Sequence, residues 1–177
     1  MKKIDFEDQT YYLNKGVLYD SSFIEVPKNI SEKILPTYYQ EIDYKNFDEE
    51  ALISYIKDTK TCLLYQRCLE ASTWGLTKFY NSFDFYKFVF PVITSCHRYM
   101  GNPQKAISFW ETNKHFYPTC SSVPLLTSLA AAYCDINDYV SAKKYANRAY
   151  AIQGGTKNYQ TELSLVYQRI KKDTNDY

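Results

Sequence analysis

The sequence predicts an all-α fold in which antiparallel helical hairpins stack into an α–α superhelix. Three observations predict it: apolar residues recur at helical intervals through residues 126–152, turn signals leave only short connections, and small and aromatic residues recur at offsets of 34 and 36 residues. A helical hairpin of this kind buries its apolar face by stacking on copies of itself. Hydrophobic residues at 45% and charged residues at 23% are typical of a globular chain.

Residues 126–152 form the clearest hairpin. The small and large apolar side chains that define its buried face are Leu126, Leu129, Ala130, Tyr133, Ala142, Tyr145 and Ala149. Their spacing of three and four residues predicts two amphipathic helices with a short turn between them. Short connections place sequential helices antiparallel.

Turn residues divide the C-terminal two-thirds of the chain. Gly101 can end one helix, Pro103 after Asn102 can begin the next, and Ser121 can cap a third. Asn137 or Asp138 can cap a fourth. With Gly154, Gly155 and Thr156 at the last break, the sequence predicts helices near 85–100, 103–116, 122–134, 138–153 and 157–172.

The segment upstream is less regular. Residues 46–49 have the spacing of a capping box before a helical stripe, and residues 62–80 predict a longer helix that contains Gly75. Residues 11–19 are compatible with a β-hairpin that turns at 14–16 or with a first helix, and the repeat favours the helix. We therefore divide the chain into a Tyr-rich N-terminal segment, 1–45, and a helical repeat domain, 46–177, with 157–172 as its capping helix.

Two positions of the 126–152 hairpin recur along the chain. Ala130 and Tyr133 correspond to Ser164 and Tyr167 further on. Towards the N terminus, the same two positions are held by Thr94 with His97, by Gly16 with Tyr19, and by Leu52 with Tyr55. A small residue allows close helix approach, and a ring one turn later fills the space between neighbouring hairpins. Ala106 and Ala142 supply the small residue of the second helix.

This pattern resembles the tetratricopeptide-repeat superfamily, with partial pentatricopeptide-like character in the 36-residue spacing. The resemblance is best over 122–153, fair over 86–118 and 157–172, and weak before residue 80. The position that holds Trp in the family motif holds Phe90, Leu126 and Gln160 here. The resemblance implies a scaffold that binds partners rather than a catalyst.

Composition narrows the setting of the protein. Residues 1–61 carry 8 lysines and 12 acidic residues, whereas residues 62–177 carry 13 basic and 8 acidic residues. The N terminus lacks the apolar run of a secretory signal, and no segment has the length of a membrane span. We expect an intracellular protein, cytoplasmic or in another compartment, whose five cysteines are reduced.

Motifs for catalysis and for cofactor binding are missing from the sequence. It contains no phosphate-binding glycine loop, no Cys-x-x-Cys pair and no nucleophile elbow. His97 occupies a ring position of the repeat, and its spacing to His115 matches no common zinc site. We expect no enzymatic activity, no catalytic residues, no metal, no cofactor and no small-molecule substrate.

The predicted function is that of an adaptor or a subunit of a larger complex. First helices would line a concave groove for a partner's peptide or helix, and polar residues outside the packing positions would make the contacts. The predicted partner-binding residues are Arg98, Tyr99, Thr127, Asp135, Asn158, Thr161, Gln168 and Arg169. The alternative is a pentatricopeptide-like RNA-binding protein that uses the basic C-terminal half.

Overall fold

A computed structural model describes residues 1–116, 122–153 and 162–174, and the chain divides into two units, Met1–Tyr80 and Asn81–Tyr177. The described residues form eight α-helices and one small sheet, so the chain is mostly helical as predicted. The expectation of an all-α chain is wrong at the N terminus, where the sheet lies. Residue 46, the predicted start of the repeat domain, lies inside the first unit.

The sheet consists of three antiparallel strands in the order β1-β2-β3: β1 (Lys2–Phe6), β2 (Gln9–Asn14) and β3 (Val17–Tyr19). Asn14 pairs with Val17 across a two-residue turn in which Lys15 has φ 49° and Gly16 has φ 84°. Positive φ at both turn residues matches the twist of paired strands. The helix favoured for residues 11–19 is therefore wrong, and Gly16 with Tyr19 is not a copy of the repeat.

Three helices follow in the first unit: α1 (Lys28–Glu41), α2 (Glu49–Thr61) and α3 (Tyr65–Lys78). The cap of α2 is Asp48, whose carboxylate accepts a 2.8 Å hydrogen bond from the Ala51 amide, whereas Asn46 ends a short 3-10 helix. The helix predicted over 62–80 begins at Tyr65 because Leu63 adopts φ 61°, which interrupts a right-handed helix.

Sheet and helices of the first unit share a core. Ile4 and Leu18 of the sheet are buried, as are Tyr39 on α1 and Ile56 on α2. Arg67 of α3 donates to the carbonyl oxygens of Gln40 and Ile42, at 3.1 and 3.0 Å, where α1 ends. These bonds satisfy carbonyl groups that lack partners within the helix.

The second unit contains five helices: α4 (Phe83–Tyr99), α5 (Pro103–Asn113), α6 (Val123–Asp135), α7 (Tyr139–Ile152) and α8 (Glu162–Thr174). The bounds of α4 to α7 lie within three residues of the predicted ones, and the predicted start of the last helix at 157 lies outside the described residues. Gly101 has φ 74° after α4, Pro103 begins α5, and Asp138 caps α7. The cap of α6 is Ser122 rather than Ser121. Ser121 and the predicted break at 154–156 lie outside the described residues.

The helices of the second unit pack in a regular order. Helix α4 packs on α5, and α6 packs on α7. Helix α6 also contacts α4 and α8, α5 contacts α6, and α7 contacts α8. The fully buried side chains between them include Phe85, Phe90, Ile93, Leu125, Leu126 and Leu129. This core places α4, α6 and α8 side by side, with α6 in the middle.

Candidate functional site

Three helices of the second unit each contribute charged side chains to one cluster. Arg98 lies in the last turn of α4, Asp135 is the last residue of α6, and Glu162 and Arg169 lie on α8. We call these four residues the charged cluster. Because α6 packs on both α4 and α8, groups that are distant in sequence come within hydrogen-bond distance.

Arg98 is the central member of the charged cluster. Its Nε donates to Asp135 Oδ2 at 2.9 Å, and its Nη1 donates to the carboxylate of Glu162. The guanidinium carbon lies 5.0 Å from the centroid of the Tyr99 ring, and the side chain is only 15% exposed. Burial acts to lower the pKa of Arg98, but the hydrogen bond to Glu162 and the two nearby carboxylates outweigh it and raise that pKa. Arg98 therefore remains a cation held in a fixed geometry.

Asp135 links the two arginines. Its Oδ1 accepts a 2.7 Å hydrogen bond from Nη1 of Arg169, so its two oxygens bind one arginine each. The charges then alternate along the cluster from Glu162 through Arg98 and Asp135 to Arg169. Alternation neutralises most of the charge, and it cross-links α4, α6 and α8.

The structure brings together four of the predicted site residues: Arg98, Tyr99, Asp135 and Arg169. The Tyr99 hydroxyl donates to Glu162 Oε1 at 3.4 Å. The arginines, expected to contact a partner, already bind carboxylates of the same unit. Their first role in the structure is therefore to hold the three helices together.

The other predicted site residues are placed differently. Gln168 is exposed on α8, close to the cluster, whereas Thr127 is 5% exposed and lies in the core on α6. Asn158 and Thr161 lie outside the described residues. Of this group, Gln168 alone has an exposed side chain in the described part of the chain.

A cleft of about 320 Å³ lies beside the charged cluster. Arg98, Glu162 and Arg169 form part of its wall, and Gln168 and Lys172 extend the polar side. Its apolar side is formed by Ala131, Leu165 and Val166. Leu165 is 56% exposed, so its side chain is accessible from the cleft. The cleft thus combines hydrogen-bond donors with an accessible apolar surface.

Sequence reasoning missed Glu162 and Lys172 as members of this region. Glu162 lies 64 residues from Arg98, and its only local signal is its place in the first turn of a helix. Such an acid is explained by the helix dipole alone. Only the packing of α8 beside α4 and α6 reveals that it binds an arginine.

Nucleophilic and metal-binding groups do not converge in the described residues. No group of three His, Cys, Asp or Glu side chains there could hold a metal ion. Burial raises the pKa of the Cys134 thiol and raises that of Cys62 to about 11, so both thiols stay protonated at neutral pH. His97 is half-buried, and burial, together with the charge of Lys105, lowers its pKa.

Comparison with protein-family models, with curated proteins and with solved structures gave no match. Within the described ranges, none of the helices has the length and apolar character needed to cross a membrane.

Proposed function

We propose that the protein is a non-catalytic interaction module, an adaptor or scaffold subunit with a tetratricopeptide-like stack in its second unit. In this proposal, α4, α6 and α8 are the first helices of successive hairpins, and their shared face binds a peptide or helix of a partner protein. The observation that carries the proposal is the cleft beside the charged cluster. All of its described lining residues belong to α4, α6 and α8.

The packing order of the second unit supports the proposed stack. Helices α4 and α6 each contact their own second helix and the next first helix, and α5 and α7 also contact the first helix that follows them. Ala106 and Ala142, the expected crossing residues of the second helices, are fully buried. Tyr133 stacks on Tyr145 with ring centroids 5.3 Å apart. These are the contacts that nearest-neighbour stacking requires.

The chemistry of the cleft favours a partner segment with a carboxylate and an apolar side chain. Arg169 has a side chain that is 39% exposed although it binds Asp135, and Lys172 lies beside it. The five N–H donors of an arginine allow it to bind a second carboxylate. Leu165 would supply apolar contact, and a small apolar anchor ringed by polar groups is typical of binding hot spots.

A selection experiment tests this proposal. A displayed library of random peptides with free C termini is selected on the full chain and counter-selected on the Leu165→Asp variant. We expect selected peptides to share a carboxylate next to an apolar residue, and to bind Leu165→Asp and Arg169→Ala at least about tenfold more weakly than the unchanged chain.

Lys33→Glu, which changes an exposed lysine of the first unit, is the control and should bind the peptides like the unchanged chain. Peptides that bind all four proteins equally, or a selection that yields no specific peptide, would overturn the proposal. Circular dichroism of each variant confirms that loss of binding is not loss of fold.

A further inference from the structure

A pocket in the first unit lies where three segments of the chain meet. Its volume is about 390 Å³, and sites for small molecules commonly have roughly 300–1,000 Å³. The three segments are the β2–β3 turn, the first half of α1, and the junction between α2 and α3. We call it the hairpin pocket. Its lining residues include Lys15, Lys28, Leu35, Leu63 and Leu64.

The β2–β3 turn forms a wall of the hairpin pocket and rests directly on the end of α2. Gly16 in this turn comes so close to α2 that a Cβ atom there would lie 2.7 Å from the carbonyl oxygen of Thr61. Both residues line the pocket. Because backbone meets backbone at this contact, the wall is in place without a ligand, and a preformed site loses less free energy to ordering when a ligand binds.

The junction between α2 and α3 supplies apolar side chains. Leu63 adopts φ 61°, a conformation that leucine seldom takes, and this residue turns the chain out of α2. As a result, Leu63 and Leu64 both line the hairpin pocket, with Leu35 and Pro36 of α1 as further apolar neighbours. Leu35 is buried, whereas Leu63 is 65% exposed. The pocket thus has an apolar wall that a ligand can reach.

The charged residues of the hairpin pocket leave one cation uncompensated. Lys28 pairs with Glu32 at 3.5 Å, and both line the pocket. A neighbouring cavity of about 280 Å³ contains a second pair, Lys2 with Asp58 at 2.9 Å. Lys15 lines both cavities and forms no ion pair with any described residue. A single free ammonium group beside an apolar wall favours a ligand with one negative charge.

We propose that the hairpin pocket binds an aliphatic monocarboxylate, whose carboxylate lies against Lys15 and whose alkyl chain lies against Leu63 and Leu64. One uncompensated cation matches one carboxylate, and the apolar wall matches a chain that carries no further polar group. This ligand differs in kind from the peptide proposed for the cleft, and its site belongs to the other unit. Sequence motifs do not indicate the pocket, because its walls come from three separate segments.

Three probes with the same alkyl chain separate the effect of charge from that of apolar contact: octanoate, octan-1-ol and octylammonium. Each is titrated into the ¹⁵N-labelled full chain, and amide chemical shifts report binding. Octanoate should saturate the protein with a Kd below about 1 mM, and the largest shifts should lie in 15–17, 28–35 and 61–64. Octylammonium should bind at least about tenfold more weakly than octanoate, with octan-1-ol between them.

Substitutions in the protein test the two halves of the site. Lys15→Met should weaken octanoate binding about tenfold and leave octan-1-ol binding unchanged, because it removes only the charge. Lys33→Met, at an exposed lysine of α1 outside the pocket, is the control and should bind both like the unchanged chain. Leu63→Asn should weaken octanoate and octan-1-ol alike, by at least about fivefold, and asparagine tolerates the positive φ of this position.

Leu165→Asn, at an exposed leucine of the cleft, is the matched control for Leu63→Asn and should bind octanoate normally. Loss of peptide binding at the cleft and loss of octanoate binding at the hairpin pocket can therefore be told apart. Circular dichroism of each variant shows whether its fold is retained.

Several results would overturn the proposal. Equal binding of octanoate and octylammonium would show that Lys15 does not select the ligand, and equal losses in Lys15→Met and Lys33→Met would place the carboxylate elsewhere. Unchanged binding by a folded Leu63→Asn variant would exclude the apolar wall from the site. Displacement of octanoate by a short peptide that ends in leucine, at a lower concentration than octanoate itself needs, would assign the pocket to a protein C terminus instead.

Discussion

Nε of Arg98, in the last turn of α4, donates a hydrogen bond of 2.9 Å to Oδ2 of Asp135, the last residue of α6. The two residues lie 37 positions apart, and each lies in the last turn of its helix. Each also holds a second ion pair on α8, Arg98 with Glu162 and Asp135 with Arg169. This single contact therefore joins the ends of two helices and helps to fix a third.

Arg98→Ala should destabilise the second unit by about 2 kcal/mol, because it leaves the partly buried carboxylate of Glu162 without its arginine and that of Asp135 with Arg169 alone. The measurement is urea unfolding in a Trp74→Phe background, where the emission of buried Trp110 reports the second unit. Lys143→Ala, a change at an exposed lysine of the same unit, should shift the free energy of unfolding by less than about 0.5 kcal/mol. Equal effects of the two changes would contradict a structural role for the cluster.

Tyr145→Phe should destabilise the second unit by about 1–2 kcal/mol. In the structure, Nε1 of Trp110 donates to the Tyr145 hydroxyl at 3.2 Å in a buried setting, so removal of the hydroxyl leaves a buried donor without its acceptor. The stacking of Tyr133 on the ring survives in phenylalanine. Tyr139→Phe is the matched control, because its hydroxyl bonds to Asn137 at the surface, where water replaces it. Urea unfolding should separate the two variants clearly.

His97 should make the second unit less stable in mild acid. Burial, aided by the charge of Lys105, lowers the pKa of His97, so the unfolded chain binds a proton more readily than the folded chain does. Stability must then fall as the pH drops through the usual histidine pKa, about 6.5, towards the lower folded value. His97→Tyr introduces the residue type that Tyr133 has at the corresponding position of α6, and it removes the imidazole that titrates. Its unfolding midpoint should change less between pH 7.5 and 5.5 than that of the unchanged chain, and identical changes would refute this role of His97.

The helices of the second unit were predictable because their ends are encoded locally. Gly101 supplies a left-handed residue, Pro103 a first helical position, and Asp138 a cap, and each acts within one turn. Residues 11–19 were mispredicted because they contain a small residue and an aromatic residue at the spacing of the repeat. In that segment the two-residue turn at Lys15 and Gly16 and the alternation of buried residues along β2 outweigh the helical spacing.

The charged cluster could be predicted only in part. Helical periodicity alone places Arg98, Asp135 and Arg169 of the cluster, together with Tyr99, one stripe away from the predicted packing positions. The pairing among them could not be predicted, since it depends on how closely successive helices approach. Thr127 shows the same limit, because it shares the expected stripe and is nevertheless buried in the core.

Gly16→Ala should destabilise the first unit by about 2–3 kcal/mol, more than backbone conformation alone explains. Gly16 has φ 84°, a conformation that costs an alanine about 1 kcal/mol, and an added Cβ would also lie 2.7 Å from the Thr61 carbonyl oxygen at the end of α2. That oxygen belongs to the backbone, so the hairpin or α2 must move. Gly101→Ala is the matched control, because its φ is 74° and a Cβ there would meet nothing within 4 Å. Hydrogen exchange should accelerate across β2, β3 and α2 in the first variant and only near the α4–α5 turn in the second, whereas equal losses of stability would show that the contact with Thr61 contributes nothing.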